Sequence, residues 1–248
     1  MLTIISSAKT LNFEPIDFKG DFTSPLFEKP TNSLLTIIRN YSEAQLSKTM
    51  NISEKLSSIN KERFNNFDKQ DSKPAIFAYA GDVFSNMQPE KLTNEAINFL
   101  QSHLLIISGL YGSLKPLDAI KPYRLEMATK LEEIQDLKLF WQDEITNYIN
   151  KTLETHKNKY LLNLASQEYS AVIDQNKLKY QMVNVHFKEN KNGKLSTIGI
   201  NAKKARGNMV KIIASNLIDS PELLKNFSYL GYKYSFADSS NNDLVFVK

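Results

Sequence analysis

The chain has 248 residues, 42% apolar and 23% charged, enough to bury a sizeable core in one large domain or two small ones. It contains no cysteine, which excludes disulfides and thiolate metal sites and fits a reducing compartment. The formal charge is +4, no apolar run approaches the ~20 residues of a membrane helix, and the N-terminus MLTIISSAKT does not read as a signal peptide, so a cytoplasmic protein without membrane contact is expected.

Leu2–Ser6 is an Ile-rich run that reads as a buried first strand. A loop with Pro15, Pro25 and Pro30 follows, and helical patterning begins near Asn32. Ser42 to Gln45 carries a capping-box signal for a second helix, and Ile52–Phe67 is helical again. Pro74–Ala80 reads as a strand closed by Gly81 and Asp82, and Pro89–Gln101 as a helix with Pro at its start. His103–Ile107 is a strand leading into Ser108, Gly109, Leu110, Tyr111 and Gly112; Pro116–Met127 has no regular assignment. Leu137–Leu153 is helical, with Trp141 read as core, and Tyr160–Leu164 is a strand ending at Ala165 and Ser166. Gln181–Phe187 and Leu195–Ile200 form a β-pair around the turn at Asn190–Gly193. Ala202–Ile218 is a helix, Ser220 and Pro221 cap a short one, and Tyr232–Phe236 with Leu244–Val247 make a final hairpin. Strands and helices mix from end to end without repeat or linker. The fold class is therefore α/β (mixed α+β), one domain over 1–248 around a central mixed sheet flanked by helices.

Four polar clusters each follow an expected strand: Ser6–Thr10 with Lys9, Gly81–Asp82, Ser108–Gly112, and Ser166–Tyr169 with Glu168. Open α/β sheets bind ligands beyond the carboxyl ends of their strands, so parallel strands would line all four clusters along one edge. Charge is lopsided as well. Lys177 to Lys211 holds nine cations against one acid, Glu189, so the segment is +9 − 1 = +8. Such a face suits phosphates or another polyanion; it also suits solvated lysines on exteriors. Only four arginines occur, and arginine is the residue that meets a phosphate or carboxylate with a planar fork. On the helix near 201–218, Arg206 falls on the same face as Ala202, Ala205 and Met209, with Lys203 at its edge and Lys204 opposite. An inward guanidinium needs an anion, either a ligand at the helix N-terminus or an internal carboxylate such as Glu126 or Glu168. Gly207 beside it allows a close approach by a ligand or another backbone. In extended conformation Arg124 and Glu126 share a face, as an ion pair or as a cation and base directed into a cleft. The glycines of Ser108–Gly112 offer a possible phosphate nest with Leu110 and Tyr111 at its tip. His103, His156 and His186 lie far apart with no metal-ligand spacing, so no metal and no cofactor are expected.

In order along the chain, SSAKTL (6–11), GDVF (81–84), LLIISGLYGSLKPLDAIKPYRLEM (104–127), FW (140–141), NLASQEY (163–169) and KKARG (203–207) resemble the YaaA family of bacterial peroxide-stress proteins. The resemblance implies an elongated α/β fold around a deep basic cleft and a helix-hairpin-helix-like element near Ser108–Gly112. It also implies a role in limiting iron-driven oxidative damage under peroxide stress, and binding of double-stranded DNA; a monomer is expected. Carried over by position, the anion- and DNA-binding candidates are Lys9, Thr10, Ser108, Gly109, Tyr111, Gly112, Lys115, Arg124, Asn163, Ser166, Lys203, Lys204 and Arg206. Asp82 and Tyr123 match the same motifs. Lys115 stands where the family commonly has Arg. The alternative function is an enzyme for a small anionic or nucleotide-like substrate, with Lys9, Glu126 and Glu168 as catalytic candidates.

Overall fold

A computed structural model describes every residue except Gln135. The chain opens with β1 (Leu2–Ser6), then three helices, α1 (Glu28–Arg39), α2 (Glu43–Met50) and α3 (Glu54–Asn65). Next come β2 (Lys73–Pro74), α4 (Ala75–Ala78), α5 (Asp82–Met87) and α6 (Asn94–His103). β3 (Leu104–Ser108), β4 (Gly112–Leu114) and β5 (Ala119–Ile120) precede the long α7 (Leu137–Thr155). β6 (Tyr160–Asn163), α8 (Gln167–Ser170), β7 (Gln181–Lys191), β8 (Lys194–Ser196) and α9 (Gly199–Ser215) follow. The chain closes with α10 (Pro221–Leu224), β9 (Lys233–Tyr234) and β10 (Asp243–Val247).

The main sheet runs β4-β3-β1-β6-β7-β10-β9, with β8 paired to β7. Its five inner strands, β3, β1, β6, β7 and β10, are mutually parallel, and antiparallel β4 and β9 close the two edges. β1 (LTIIS) and β3 (LLIIS) are buried along almost their whole length, as inner strands of a parallel sheet covered on both faces are. β1 sits between β3 and β6, so the loops leaving all three strands emerge side by side at one edge.

Local chemistry accounts for the helices. Ser42 and Gln45 form the expected capping box at α2, and Asn51 ends that helix in the left-handed region. Three expectations need correction. Pro74–Ala80 is not a sheet strand: Lys73 and Pro74 pair with Ile120 and Ala119, Tyr79 makes an isolated bridge to Leu11, and Ala75–Ala78 turns into a buried helix. A short apolar run fits a buried helical turn as well as a strand, and three alanines in seven residues favour the turn. The helix expected from Pro89 is a 3-10 turn at Pro89–Lys91 followed by α6, because the Thr93 hydroxyl accepts from the Ala96 amide and starts a new helix. The strand expected over Leu195–Ile200 stops at Ser196, and α9 begins at Gly199. Among the described residues, no helix is long and apolar enough to cross a membrane.

Candidate functional site

A cavity of about 450 Å³ opens at the carboxyl ends of β1 and β6. The loop after β1 supplies Ser6, Ser7, Lys9 and Thr10; the loop after β6 supplies Ser166, Glu168 and Tyr169. The two loops are tied together: the Ser166 amide donates to Ser6 Oγ at 2.9 Å, and the Ser6 and Ser166 hydroxyls lie 3.3 Å apart. Behind them Asn163 fixes the turn, its Oδ1 accepting from the Ala165 amide at 2.9 Å and its Nδ2 donating to Asn184 Oδ1 at 3.0 Å. Gly81, Asp82 and Val83 enter from the start of α5, and Glu126 from the segment after β5.

α9 completes the wall with Lys203 and Arg206. Gly207 is what lets it. A Cβ there would stand 1.9 Å from the Val83 carbonyl oxygen, so the α5 and α9 backbones meet where only glycine fits. The close approach that Gly207 permits is therefore to another backbone. Ala202, Ala205 and Met209 bury the same face of α9 and leave Arg206 at the cavity. Gly81 plays a smaller version of the same part, since a Cβ there would come within 2.9 Å of Ala8 Cβ.

The charges divide into paired and unpaired sets. Glu126 is held by two cations, with Lys9 Nζ 2.5 Å from Oε2 and Arg124 donating to Oε1 at 3.1 Å. Two strong donors on one carboxylate fix its orientation. Glu168 accepts from the Ala128 amide at 3.0 Å. Neither carboxylate reaches Arg206, which makes no ion pair among the described residues, and its Nε is buried without a hydrogen-bond partner. Burial pushes the Arg206 guanidinium below its ordinary value, yet an arginine stays charged. Arg124 Nε is likewise unpartnered, but that guanidinium is neutralised on Glu126.

A polar relay runs from the cavity floor into the core. Ser7 neighbours the phenols of both Tyr123 and Tyr169. The Tyr123 hydroxyl lies 2.6 Å from Ser108 Oγ and 2.6 Å from the Tyr79 hydroxyl. Burial raises all three phenols above their ordinary value, so each is a neutral O–H.

Of the residues singled out in the sequence, Lys9, Thr10, Asp82, Glu126, Ser166, Glu168, Lys203 and Arg206 meet at this cavity. Arg124 and Asn163 stand one contact behind it, and Tyr123 lies beneath it. The turn at Ser108–Gly112 does not line this cavity, and Ser108, Leu110, Tyr111 and Gly112 are buried. The Ser108 hydroxyl accepts from the Leu110 and Tyr111 amides, the Gly109 carbonyl accepts from Trp141 Nε1, and Lys121 N–H donates to the Tyr111 hydroxyl. The Leu110 and Tyr111 amides are thus spent on Ser108. Lys115 lies on another face, beside Lys151 and His156, and Lys204 does not line the cavity.

The charges that line the cavity are mixed in sign. Lys177 pairs with Asp143, Lys179 with Glu154, and Lys211 donates to Gln88, so three of the nine cations of the +8 segment are engaged away from the cavity. Around the cavity Lys9, Lys203 and Arg206 face Asp82, Glu126 and Glu168, three cations against three carboxylates. Ser7 and Tyr169 were not assigned a role from the sequence, although both lie within the polar clusters that follow β1 and β6.

The family described as "Peroxide stress protein YaaA" matches residues 1–237. A UPF0246 protein of Rickettsia bellii is 78% identical over 248 residues, covering 100% of both chains. UPF0246 proteins of Rickettsia africae and Rickettsia rickettsii are 75% and 74% identical, again across 100% of both chains. The cavity therefore belongs to a member of the YaaA family of peroxide stress proteins.

Proposed function

We propose that, within the peroxide stress response, this protein binds a small ligand carrying an anionic group, of nucleotide size, in the cavity at the carboxyl edge of its sheet. The observation that carries this is Arg206. A guanidinium nitrogen buried without a partner costs free energy, and a ligand phosphate or carboxylate would supply what the fold omits. Lys203 would add a second positive charge. The opposite wall offers Glu126 and Glu168, oriented acceptors for N–H or O–H groups of the same ligand. About 450 Å³ is the ordinary size for a small-molecule pocket. Balanced charge also favours a compact ligand with both donors and an anion over an extended polyanion. Lys9, held against Glu126, and Tyr169, a neutral phenol, are the groups in reach for proton transfer if the ligand is turned over.

Thermal unfolding with nucleoside monophosphates and with inorganic phosphate tests this. At 100 times its Kd a ligand adds about 2.7 kcal/mol, a rise of roughly 5–10 °C for a chain of this length. Arg206→Ala should abolish the rise. Equal shifts in wild type and variant, or none across the panel in wild type, would refute the proposal.

Binding of double-stranded DNA is a second reading, favoured by one observation: Lys9 is 62% exposed at the cavity mouth, with exposed Lys203 nearby. Phosphates of a backbone would meet these cations without sequence readout. A gel-shift titration across salt should then show a slope of about −0.9 for each phosphate contacted. A flat slope removes DNA and leaves the small-ligand proposal standing. Limiting iron-driven damage is the physiological end that either reading would serve.

A further inference from the structure

The amino edge of the sheet, opposite the cavity, carries a second cluster. Met1 leads into β1, His103 ends α6 immediately before β3, and His156 follows α7 just ahead of β6. Because β3, β1 and β6 are neighbours, these three residues arrive side by side. Asp219 joins them from the link between α9 and α10.

Their donor atoms converge. His103 Nε2 lies 3.8 Å from Asp219 Oδ1, and the two imidazole centroids are 4.7 Å apart. One ligand atom from each of His103, His156 and Asp219 falls within 4.8 Å of the others, the one such grouping among the described residues. The surroundings orient these atoms. His103 Nδ1 lies 2.8 Å from the Phe99 carbonyl, a contact that requires Nδ1–H and leaves the Nε2 lone pair facing the cluster. The Phe99 ring stacks on that imidazole at 3.9 Å and 7°, fixing its plane. Asn158 Nδ2 donates to Asp219 Oδ2 at 3.2 Å and frees Oδ1 for the centre. A backbone carbonyl behind an imidazole and an amide behind a carboxylate are the supports that metal ligands need.

A cation already occupies the focus. The α-ammonium of Met1 contacts Asp219 Oδ1 and lies 3.3 Å from His156 Nδ1. Two lone pairs from different elements thus point at one positive charge, and His103 Nε2 faces the same carboxylate oxygen.

We propose that His103, His156 and Asp219 form a binding site for a borderline divalent transition-metal ion of the Zn²⁺ type, with a fourth position for water or the Met1 amine. Two imidazoles and a carboxylate suit such ions, whereas Ca²⁺ and Mg²⁺ prefer all-oxygen shells. A tetrahedral ion with bonds of about 2.0–2.1 Å would draw the three atoms to roughly 3.4 Å from one another. Side chains 22% exposed at His103 and 26% at Asp219 have room for that contraction. The ion would displace the ammonium or take its proton to solvent. Spacing along the chain concealed the site, since its ligands come from three separate connections.

The test uses the full chain, stripped with chelator, and Co²⁺ as a spectroscopic probe. One equivalent should bring up visible d–d absorption, and Zn²⁺ should abolish it by competition. His156→Ala and His103→Gln should weaken Co²⁺ binding roughly tenfold or more. His186→Ala, whose imidazole pairs with Asp243 elsewhere, should leave binding unchanged. Should a cluster variant fail to fold, wild-type protein still decides: one equivalent of Zn²⁺ should protect His103 and His156, and not His186, from diethyl pyrocarbonate as mapped by mass spectrometry. No d–d absorption in wild type, no selective protection, or equal loss in the His186 variant would overturn the proposal. Nucleotide binding at the carboxyl edge would be untouched by any of these results.

Discussion

Arg206 is the residue on which the proposed ligand site turns. Its unpartnered Nε makes the ligand-free protein pay a small penalty, so Arg206→Ala should leave apo stability unchanged or raise it by about 1 kcal/mol while removing ligand-induced stabilisation. Urea unfolding with and without ligand separates the two effects; a loss of apo stability comparable to a core truncation would mean that the side chain is structural. Glu126 should behave in the opposite way. Glu126→Gln leaves Arg124 and Lys9 without their shared anion, and should cost about 1–2 kcal/mol in the same assay because all three groups are partly solvated. The same residues show how much of the site could be read from the chain. Lys9, Glu126, Glu168 and Arg206 were legible because each sits in a short polar loop or on an apolar helix face, where a charge must have a reason. Which of nine clustered cations would reach the cavity was not legible, because partners such as Asp143 and Glu154 lie on α7, far away in sequence.

Between elements, the decisive contact is α5 against α9. Gly207→Ala would drive a methyl into the Val83 carbonyl, and the separation needed should cost about 1–3 kcal/mol, offset by ~1 kcal/mol of helix propensity. The prediction is a modest fall in unfolding midpoint with a larger loss of ligand binding, because Arg206 and Lys203 move with α9; a variant that binds normally would separate the site from this packing. Ser42→Ala is the counterpart. It should cost about 1 kcal/mol at the α2 cap without affecting binding. Elements with a local cause, such as the capped α2 and the apolar runs of β1, β3 and β6, are readable from sequence. Elements decided by tertiary packing are not. The glycines of Ser108–Gly112 look like a flexible tip, yet a Cβ on Gly109 would meet the Leu125 carbonyl at 2.5 Å and one on Gly112 would meet Trp141 at 2.6 Å. Gly112 also holds a φ of +72°, so glycine there answers a turn and a close ring together.

At the scale of the molecule, the parallel inner sheet gathers polar chemistry at its two ends, the proposed ligand cavity at the carboxyl edge and the His–Asp cluster at the amino edge. Its buried tyrosines should also set an alkaline limit. Burial holds Tyr79, Tyr111, Tyr123 and Tyr169 protonated above the ordinary value of 10.0, whereas the unfolded chain releases those protons. The folded state therefore binds more protons above that pH, and stability present below it is lost as pH rises through about 10. Urea midpoints at about pH 9 and about pH 11 should fall in that order, and a flat profile would mean that these phenols ionise in place. The most direct examination of the ligand site is a crystal of the full chain grown with a nucleoside monophosphate. Phosphate density against the guanidinium of Arg206, with Lys203 beside it, is the expected result; an empty cavity at saturating ligand, or a nucleotide bound elsewhere, would contradict it.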